Sequence, residues 1–301
     1  MATTTLRQPA VSSERPARNA SLDIARRVLR VRLAPLALTI LGAFLLVAVF
    51  AGQIQRYDPI TDQSYSEANQ GPSMAHWLGT DYLGRDMWSR LVHGSRISLF
   101  VGLISVGVGL TVGVAVGVTA GFGGGKLDAF LMRITEAIWT FPALMLALAI
   151  TSVLGRGLVP SMVAIGIVGI PYYARLARAS TLSARELDYV LAARALGAST
   201  KRILAGHILP NIAAPLIVQA SLGLGTAIIT EASLSFLGVG VQAPTPSWGL
   251  ELRTGYQYME LNPAVAIFPG VAIFLTVLAF NFLGDALRTA LDPRLARRGS
   301  D

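Results

Sequence analysis

The chain has 301 residues, of which 53% are hydrophobic and only 14% charged, against about 25% charged in an ordinary soluble domain. Its formal charge of +8 rests on 25 basic residues, nearly all Arg, that flank apolar runs. That pattern argues for topology-setting charge and against a nucleic-acid surface, whose basic residues would gather on one folded face. The absence of cysteine excludes disulfides, thiolate metal sites and cysteine nucleophiles, and His76, His93 and His207 lie too far apart in sequence to suggest a metal cluster.

Residues 1–20, rich in Thr, Ser, Pro and Arg, are expected to form a disordered cytoplasmic tail. In 21–32, Leu22, Ala25, Val28 and Leu29 recur at helical spacing opposite Arg26, Arg27 and Arg30, which predicts an interfacial amphipathic helix. Six uncharged runs then approach or exceed the roughly 20 residues a helix needs to cross a hydrocarbon core. They are Leu33–Gly52, Ile97–Ala120, Ala137–Gly155, Gly157–Ala174, Ile212–Thr230 and Ala264–Gly284. The first, 33–52, reads as an uncleaved anchor, because no A-x-A site follows closely. An external segment, 53–96, separates it from a five-helix core, 97–288, and 289–301 reads as a cytoplasmic tail. With the N-terminus placed inside, the inner segments 1–32, 121–136, 175–211 and 285–301 carry 7, 2, 6 and 4 Arg/Lys, and the outer ones far fewer. The positive-inside rule therefore selects both termini in the cytoplasm.

The second span holds Gly109, Gly113, Gly117 and Gly121, one face of a helix on which another can approach closely; internal packing and a subunit interface both fit. The following "GFGGGKLD" is not a phosphate-binding loop. Ala120 replaces its first glycine and Leu127 the Mg²⁺-binding hydroxyl, so the stretch is expected to be a flexible turn. No G-x-S-x-G or H-E-x-x-H is present. Two acids stand near the apolar runs, Glu136 at the inner mouth of the third span and Glu231 at the outer part of the fifth. A charge inside a bilayer is expensive, which leaves a place in a translocation path or a structural salt bridge for each.

Segment 175–211 is the longest inner connection. Ser183 and Glu186 have capping-box spacing, and Leu187, Val190, Leu191 and Ala195 share a face. Gly197 suits a left-handed cap, and Ser199 can cap a second short helix through Leu204. A helix, a glycine turn and a helix make a docking element rather than a bare connector.

This segment resembles the signature loop of ABC importer permeases, E-A-A, three residues, G, nine residues, I-x-L-P. Ala192, Ala193, Gly197, Leu209 and Pro210 fall at its spacing, while Leu191 stands where the family has Glu and His207 where it has Ile. "HWLGTDYLGRDMWSR" resembles the external H-x-L-G-T-D-x-L-G-R-D stretch of the dipeptide/oligopeptide branch, with His76, Gly79, Thr80, Asp81, Gly84, Arg85 and Asp86. "EASLSFLGVGVQAPTPSWG" and "FNFLGDALRTALDPRL" are similar to later segments of the C-type subunit of that branch.

The resemblance implies an all-α integral membrane protein with the type I importer fold, six spans, both termini inside, in the bacterial plasma (inner) membrane. It implies a permease subunit, not an enzyme, for short peptides, or for nickel chelates or glutathione. ATP and Mg²⁺ would be bound by partner subunits and no cofactor by this chain. The implied partners are a second homologous permease, two ATPase subunits, an extracytoplasmic substrate-binding protein or lipoprotein, and the lipid bilayer. Asp188, Leu191, Ala192, Ala193, Gly197, Ala198, Ser199, His207, Leu209 and Pro210 would form the ATPase-coupling loop. A stand-alone carrier or channel is the contrasting reading; no internal repeat or run of intramembrane charge favours it.

Overall fold

The computed structural model describes residues 20–292, which are helical with no strand among them. Thr80 and Asp86 form one isolated β-bridge. The helices are α1 (Ala20–Arg30), α2 (Ala34–Val49), α3 (Ala51–Ile54), α4 (Met87–Gly123), α5 (Gly125–Trp139), α6 (Ala143–Leu154), α7 (Leu158–Ala184), α8 (Asp188–Ala195), α9 (Thr200–Ile203), α10 (Leu209–Phe236), α11 (Trp248–Gln257) and α12 (Ala264–Leu291).

Four helices are each long and apolar enough to cross a membrane: α4, α7, the continuous stretch 200–236, and α12. Two further spans arise only if bent pairs count as one, 24–30 with 34–49 at 105° and 125–139 with 143–154 at 91°. The third expected span, Ala137–Gly155, is therefore not one straight helix. Pro142 lacks a backbone N–H and disfavours helical geometry at Phe141, so α5 stops at Trp139 and α6 starts after the proline. At 1.5 Å per residue α6 is about 18 Å long, well short of a hydrocarbon core.

The helices that do span outrun their apolar stretches. Asp86 caps α4 by accepting from the Ser89 N–H, ten residues before the expected start. α7 keeps Pro171 inside it and continues to Ala184, and α12 runs past Gly284 into what reads as tail. The expected disordered stretch 1–20 lies, but for Ala20, outside the described residues, as do the last nine positions of the tail. α1 does turn sharply from α2, but Val28 is buried with Ala34, Ala286 and Ala290, so this face packs on the end of α12. Leu29, on the other side, is exposed.

The centre of the molecule is the α4–α7 pair, and the glycine stripe is its cause. Gly109, Gly113, Gly117 and Gly121 are all buried. A Cβ at Gly113 would stand 2.8 Å from the Ile170 carbonyl oxygen, and one at Gly121 2.9 Å from that of Arg178. Internal packing therefore accounts for the stripe. α10 closes over this pair, and Val101, Val106, Met162, Ile165, Tyr173, Ala227 and Leu234 form the core between them. The expected flexible turn at "GFGGGKLD" is instead one residue, Gly124 at φ +64°, joining two helices.

Candidate functional site

α4, α7 and α10 leave a cleft of about 160 Å³ between them, whose wall includes Ser105, Gly169, Tyr172, Tyr173, Gln219 and Thr230. Along α10 the lining positions Gln219, Gly223, Thr226 and Thr230 recur at spacings of four, three and four, which is one face of a helix. Thr226 and Thr230 donate their hydroxyls to the Leu222 and Thr226 carbonyls of their own helix, so Gln219 is the group whose amide makes lipid a costly neighbour for this face. That spacing stands in plain sight within the uncharged run 212–230, but it carries no charge and sequence reasoning directed at acids passes over it. Tyr173 crosses from α7 toward α10, and Gly223 leaves the room its hydroxyl occupies.

Neither acid singled out from the sequence lines this cleft. Glu231 is completely buried, held by serines rather than by a cation. Ser235 Oγ donates to its Oε1 at 2.8 Å and Ser98 Oγ to Oε2 at 3.4 Å. Ser98 Oγ also accepts from the Trp248 N–H at 3.2 Å, and Ser235 Oγ from the Val241 N–H at 3.0 Å. The carboxylate thus ties α4 and α10 to the start of α11. The salt-bridge reading fails for Glu231, which has no basic partner among the described residues. Glu136 is the reverse: exposed, and 3.7 Å from Arg133. It lies on α5 before the bend, not at the mouth of a straight span.

The end of α7 that leads into the connector carries a second cluster. The Arg175 guanidinium sits 3.4 Å over the Trp139 ring, and Trp139 meets Tyr172 edge-on with centroids 4.2 Å apart. Nearby, Arg178 binds Asp128 through two contacts at 2.5 and 2.6 Å.

The connector itself is shorter than 175–211. Ser183 lies in the last turn of α7 and its hydroxyl donates to the Ala179 carbonyl, while Glu186 pairs with Arg185 at 2.9 Å. The capping box does not form, because α7 runs through it, and α8 begins at Asp188 without a side-chain cap. Gly197 does adopt φ +79°, and Ser199 does accept from the Arg202 N–H. α9 continues through a π-helical stretch, Leu204–Ile208, into α10, so the second short helix is the inner end of a span.

Val190, Ile203, Ile208 and Ile212 point inward and are buried with Val118, Ala177 and Ala184. The expected common face splits: Val190 is buried, while Leu187 and Leu191 are 40% and 43% exposed and Leu196 is 89% exposed. Asp188 and Ala192 are exposed beside them, and Ala193 and Ala198 are half-buried. His207 is half-buried with its ring 5.9 Å from that of Tyr189. Leu209 and Pro210 are exposed just after the π-helical stretch, within the continuous helix 200–236. Leu196 is the residue that sequence reasoning missed.

On the opposite end, the external stretch is folded in on itself. Asp81 accepts from the Leu83 and Arg85 N–H groups at 2.9 Å and pairs with the Arg85 guanidinium at 2.7 Å. Asp86 takes the Ser89 N–H at 2.8 Å and the His76 Nδ1 at 2.9 Å. Thr80 Oγ1 accepts from the Gln70 N–H and donates to the Glu67 carbonyl. Gly79 and Gly84 take φ +81° and +73°; a side chain at Gly84 would overlap the Ser64 backbone. Arg90 reaches from α4 to Glu251 on α11 with two hydrogen bonds at 3.0 and 2.6 Å, both side chains buried. Next to this brace the N–H groups of Thr61 and Ile60 hold the Asp58 carboxyl below the ordinary carboxylate range. The motif residues thus hold this segment together, and Tyr65, Met74 and Trp77 are among the large side chains it exposes. Among the described residues no cluster of His and carboxylates is arranged to hold a metal ion.

A family model for the binding-protein-dependent transport system inner membrane component matches residues 113–297. The glutathione transport system permease protein GsiD of Pectobacterium atrosepticum is 45% identical over 270 residues, covering 90% of each chain. The dipeptide transport system permease protein DppC of Alkalihalophilus pseudofirmus is 44% identical, over 88% of this chain and 86% of that one. Among solved structures, the inward-facing MetNI methionine ABC transporter superposes with a TM-score of 0.57 at 23% identity, over 68% of this chain and 98% of that one, a likeness of fold.

Proposed function

Because the chain belongs to the family of binding-protein-dependent transport system inner membrane components, we propose that it forms one half of the path by which an ATP-driven importer moves short peptides inward. Dipeptide and glutathione permeases share its length and nearly half its residues, and both substrates are short peptides or built like them. The cleft between α4, α7 and α10 is the half-path, completed by a second homologous permease subunit across the polar stripe of α10. Both termini face the cytoplasm. The chain hydrolyses no ATP itself: nucleotide and Mg²⁺ belong to two separate ATPase subunits, and peptide arrives from an extracytoplasmic binding protein or lipoprotein.

The observation that carries this reading is the continuity of 200–236. One uninterrupted helix runs from the connector, with its exposed Leu191 and Leu196, to the wall of the cleft. A partner pressing on the connector therefore moves the cleft directly, and the buried contacts of Val190 and Ile203 with α7 make the connector rigid enough to transmit that motion. Leu191, in the place of a family Glu, adds apolar surface where packing rather than charge would hold the partner.

The test is purification through a tag on this chain, followed by reconstitution. Co-purifying ATPase subunits and ATP-dependent uptake of labelled dipeptides are expected. Uptake by this chain alone, without nucleotide, would overturn the proposal. Preference for glutathione over dipeptides would favour the second reading, which the similarity to a glutathione permease supports.

A further inference from the structure

Arg175 is a charged group close in sequence to the cleft-lining Tyr172 that takes part in none of the fold's ion pairs among the described residues. It is exposed on α7 one turn beyond Tyr172, which lines the cleft, toward the connector. Of the carboxylates of α5, Asp128 is bound by Arg178, and the exposed Glu136 lies 3.7 Å from Arg133. Among the described residues Arg175 makes no ion pair, and its recorded partner is the face of Trp139 at 3.4 Å. Stacking on an indole fixes the guanidinium plane while leaving its N–H edge unoccupied. A planar fork of donors held at a fixed angle is the geometry that receives a carboxylate through two parallel hydrogen bonds. Tyr172, edge-on to Trp139 at 4.2 Å, joins this platform to the cleft wall.

We infer that Arg175, seated on Trp139, is a specificity residue that receives the C-terminal carboxylate of a peptide at the inner rim of the cleft. This rests on the peptide-importer reading and names a feature of the substrate that the path itself recognises. Every unblocked short peptide carries that carboxylate at neutral pH, so the contact selects for free peptides without reading their side chains.

The complete complex, purified through this chain and free of nucleotide and binding protein, is placed in nanodiscs of purely zwitterionic lipid. Equilibrium dialysis then measures retention of a labelled dipeptide and of the same dipeptide as its C-terminal amide. The wild type should hold the free acid at least about tenfold more tightly than the amide, the scale of one charge-assisted contact. Arg175→Gln should abolish that preference, and Arg175→Lys should keep part of it. Equal binding of acid and amide by the wild type, binding of neither, or an unchanged preference in Arg175→Gln would overturn the inference. So would a preference that appears only when anionic lipid is added, since Arg175 would then be a headgroup anchor. A wild-type complex that imports no peptide in the uptake assay defeats the peptide reading itself. One that imports peptide but ignores the amide substitution defeats only the role of Arg175.

Discussion

The hydroxyl of Tyr173 on α7 fills the space that a side chain at Gly223 on α10 would need, whereas Cζ of the same ring would stand 3.4 Å from a Cβ there. Tyr173 is buried, and its ring lies against the backbone of α4 at Gly109, where a Cβ would stand 3.3 Å from its Cε2. Gly223→Ala should therefore lower the stability of the purified protein by about 1–3 kcal/mol, the usual penalty for overpacking. Tyr173→Phe in the same chain should restore most of the loss, because it removes the one overlapping atom. Thermal unfolding of the two single variants and the double variant gives the coupling; a double variant no better than Gly223→Ala would show that the hydroxyl is not the obstacle.

On α4, Gly117 and Gly107 offer a matched contrast. A Cβ at Gly117 would stand 2.8 Å from the Ala177 Cβ and 2.9 Å from the Arg178 backbone nitrogen, whereas one at Gly107 meets nothing within 4 Å. Gly117→Ala should cost about 1–3 kcal/mol and reduce the yield of folded protein. Gly107→Ala should be neutral or stabilise by about 0.5–1 kcal/mol through helix propensity. Fluorescence-detected size exclusion after a heat step ranks the two.

Arg90 and Glu251 are buried together, so removing Arg90 leaves Glu251 without its basic partner, and removing Glu251 leaves Arg90 with only the longer contact to Asp81 at 3.8 Å. Glu251→Ala should destabilise by about 3–5 kcal/mol, while replacing both by apolar residues of similar volume, Arg90→Met with Glu251→Leu, should cost much less. Chemical denaturation in detergent of wild type, single and double variants separates these outcomes. A double variant as damaged as the single would mean that the hydrogen bond from Arg90 Nη1 to the Pro59 carbonyl matters as much as the ion pair.

On the connector, Leu196→Asp and Leu191→Asp should each reduce co-purification of ATPase subunits, and Leu191→Met should not. Both leucines are exposed, so the fold itself should be unaffected, with an unfolding midpoint close to that of the wild type. Gly197 is a separate case: a Cβ there meets nothing within 4 Å, yet φ is +79°. Gly197→Val should therefore strain the backbone alone, by about 1–2 kcal/mol, and uncouple ATPase activity from transport, while Gly197→Asn should be tolerated.

Much of this arrangement could be read from residue order. Apolar length and flanking arginines located the four long helices, because burial in lipid admits few alternatives to a helix. Gly197 and Ser199 were legible as caps because their chemistry is local. One miss was local: Pro142 breaks the third span although the hydropathy around it does not change. The others depended on neighbours in space. Ser183 and Glu186 have the spacing of a capping box, but packing of Ala177, Thr181 and Ala184 carries α7 through the site. Glu231 looked like a charge in search of a counter-charge, and its partners are hydroxyls from α4 and from its own helix. The polar stripe at Gln219, Thr226 and Thr230 was visible at helical spacing, but only the cleft gives it meaning.

The stretch 200–236 is 37 residues long, about 55 Å at 1.5 Å per residue, against roughly 30 Å of hydrocarbon. Mechanically it is a lever with its fulcrum among Ile208, Ile212 and Leu216, where α4 and α7 grip it. The short arm ends at the Ser199 cap, and the long arm ends at Glu231 and Ser235, which are fastened to α4 and α11. A displacement imposed on the short arm would reach the far end magnified, where the serine–carboxylate latch would either give or carry α11 with it. The π-helical stretch, Leu204–Ile208, runs into the fulcrum at Ile208, where its slack turn would let the rod twist before it tilts.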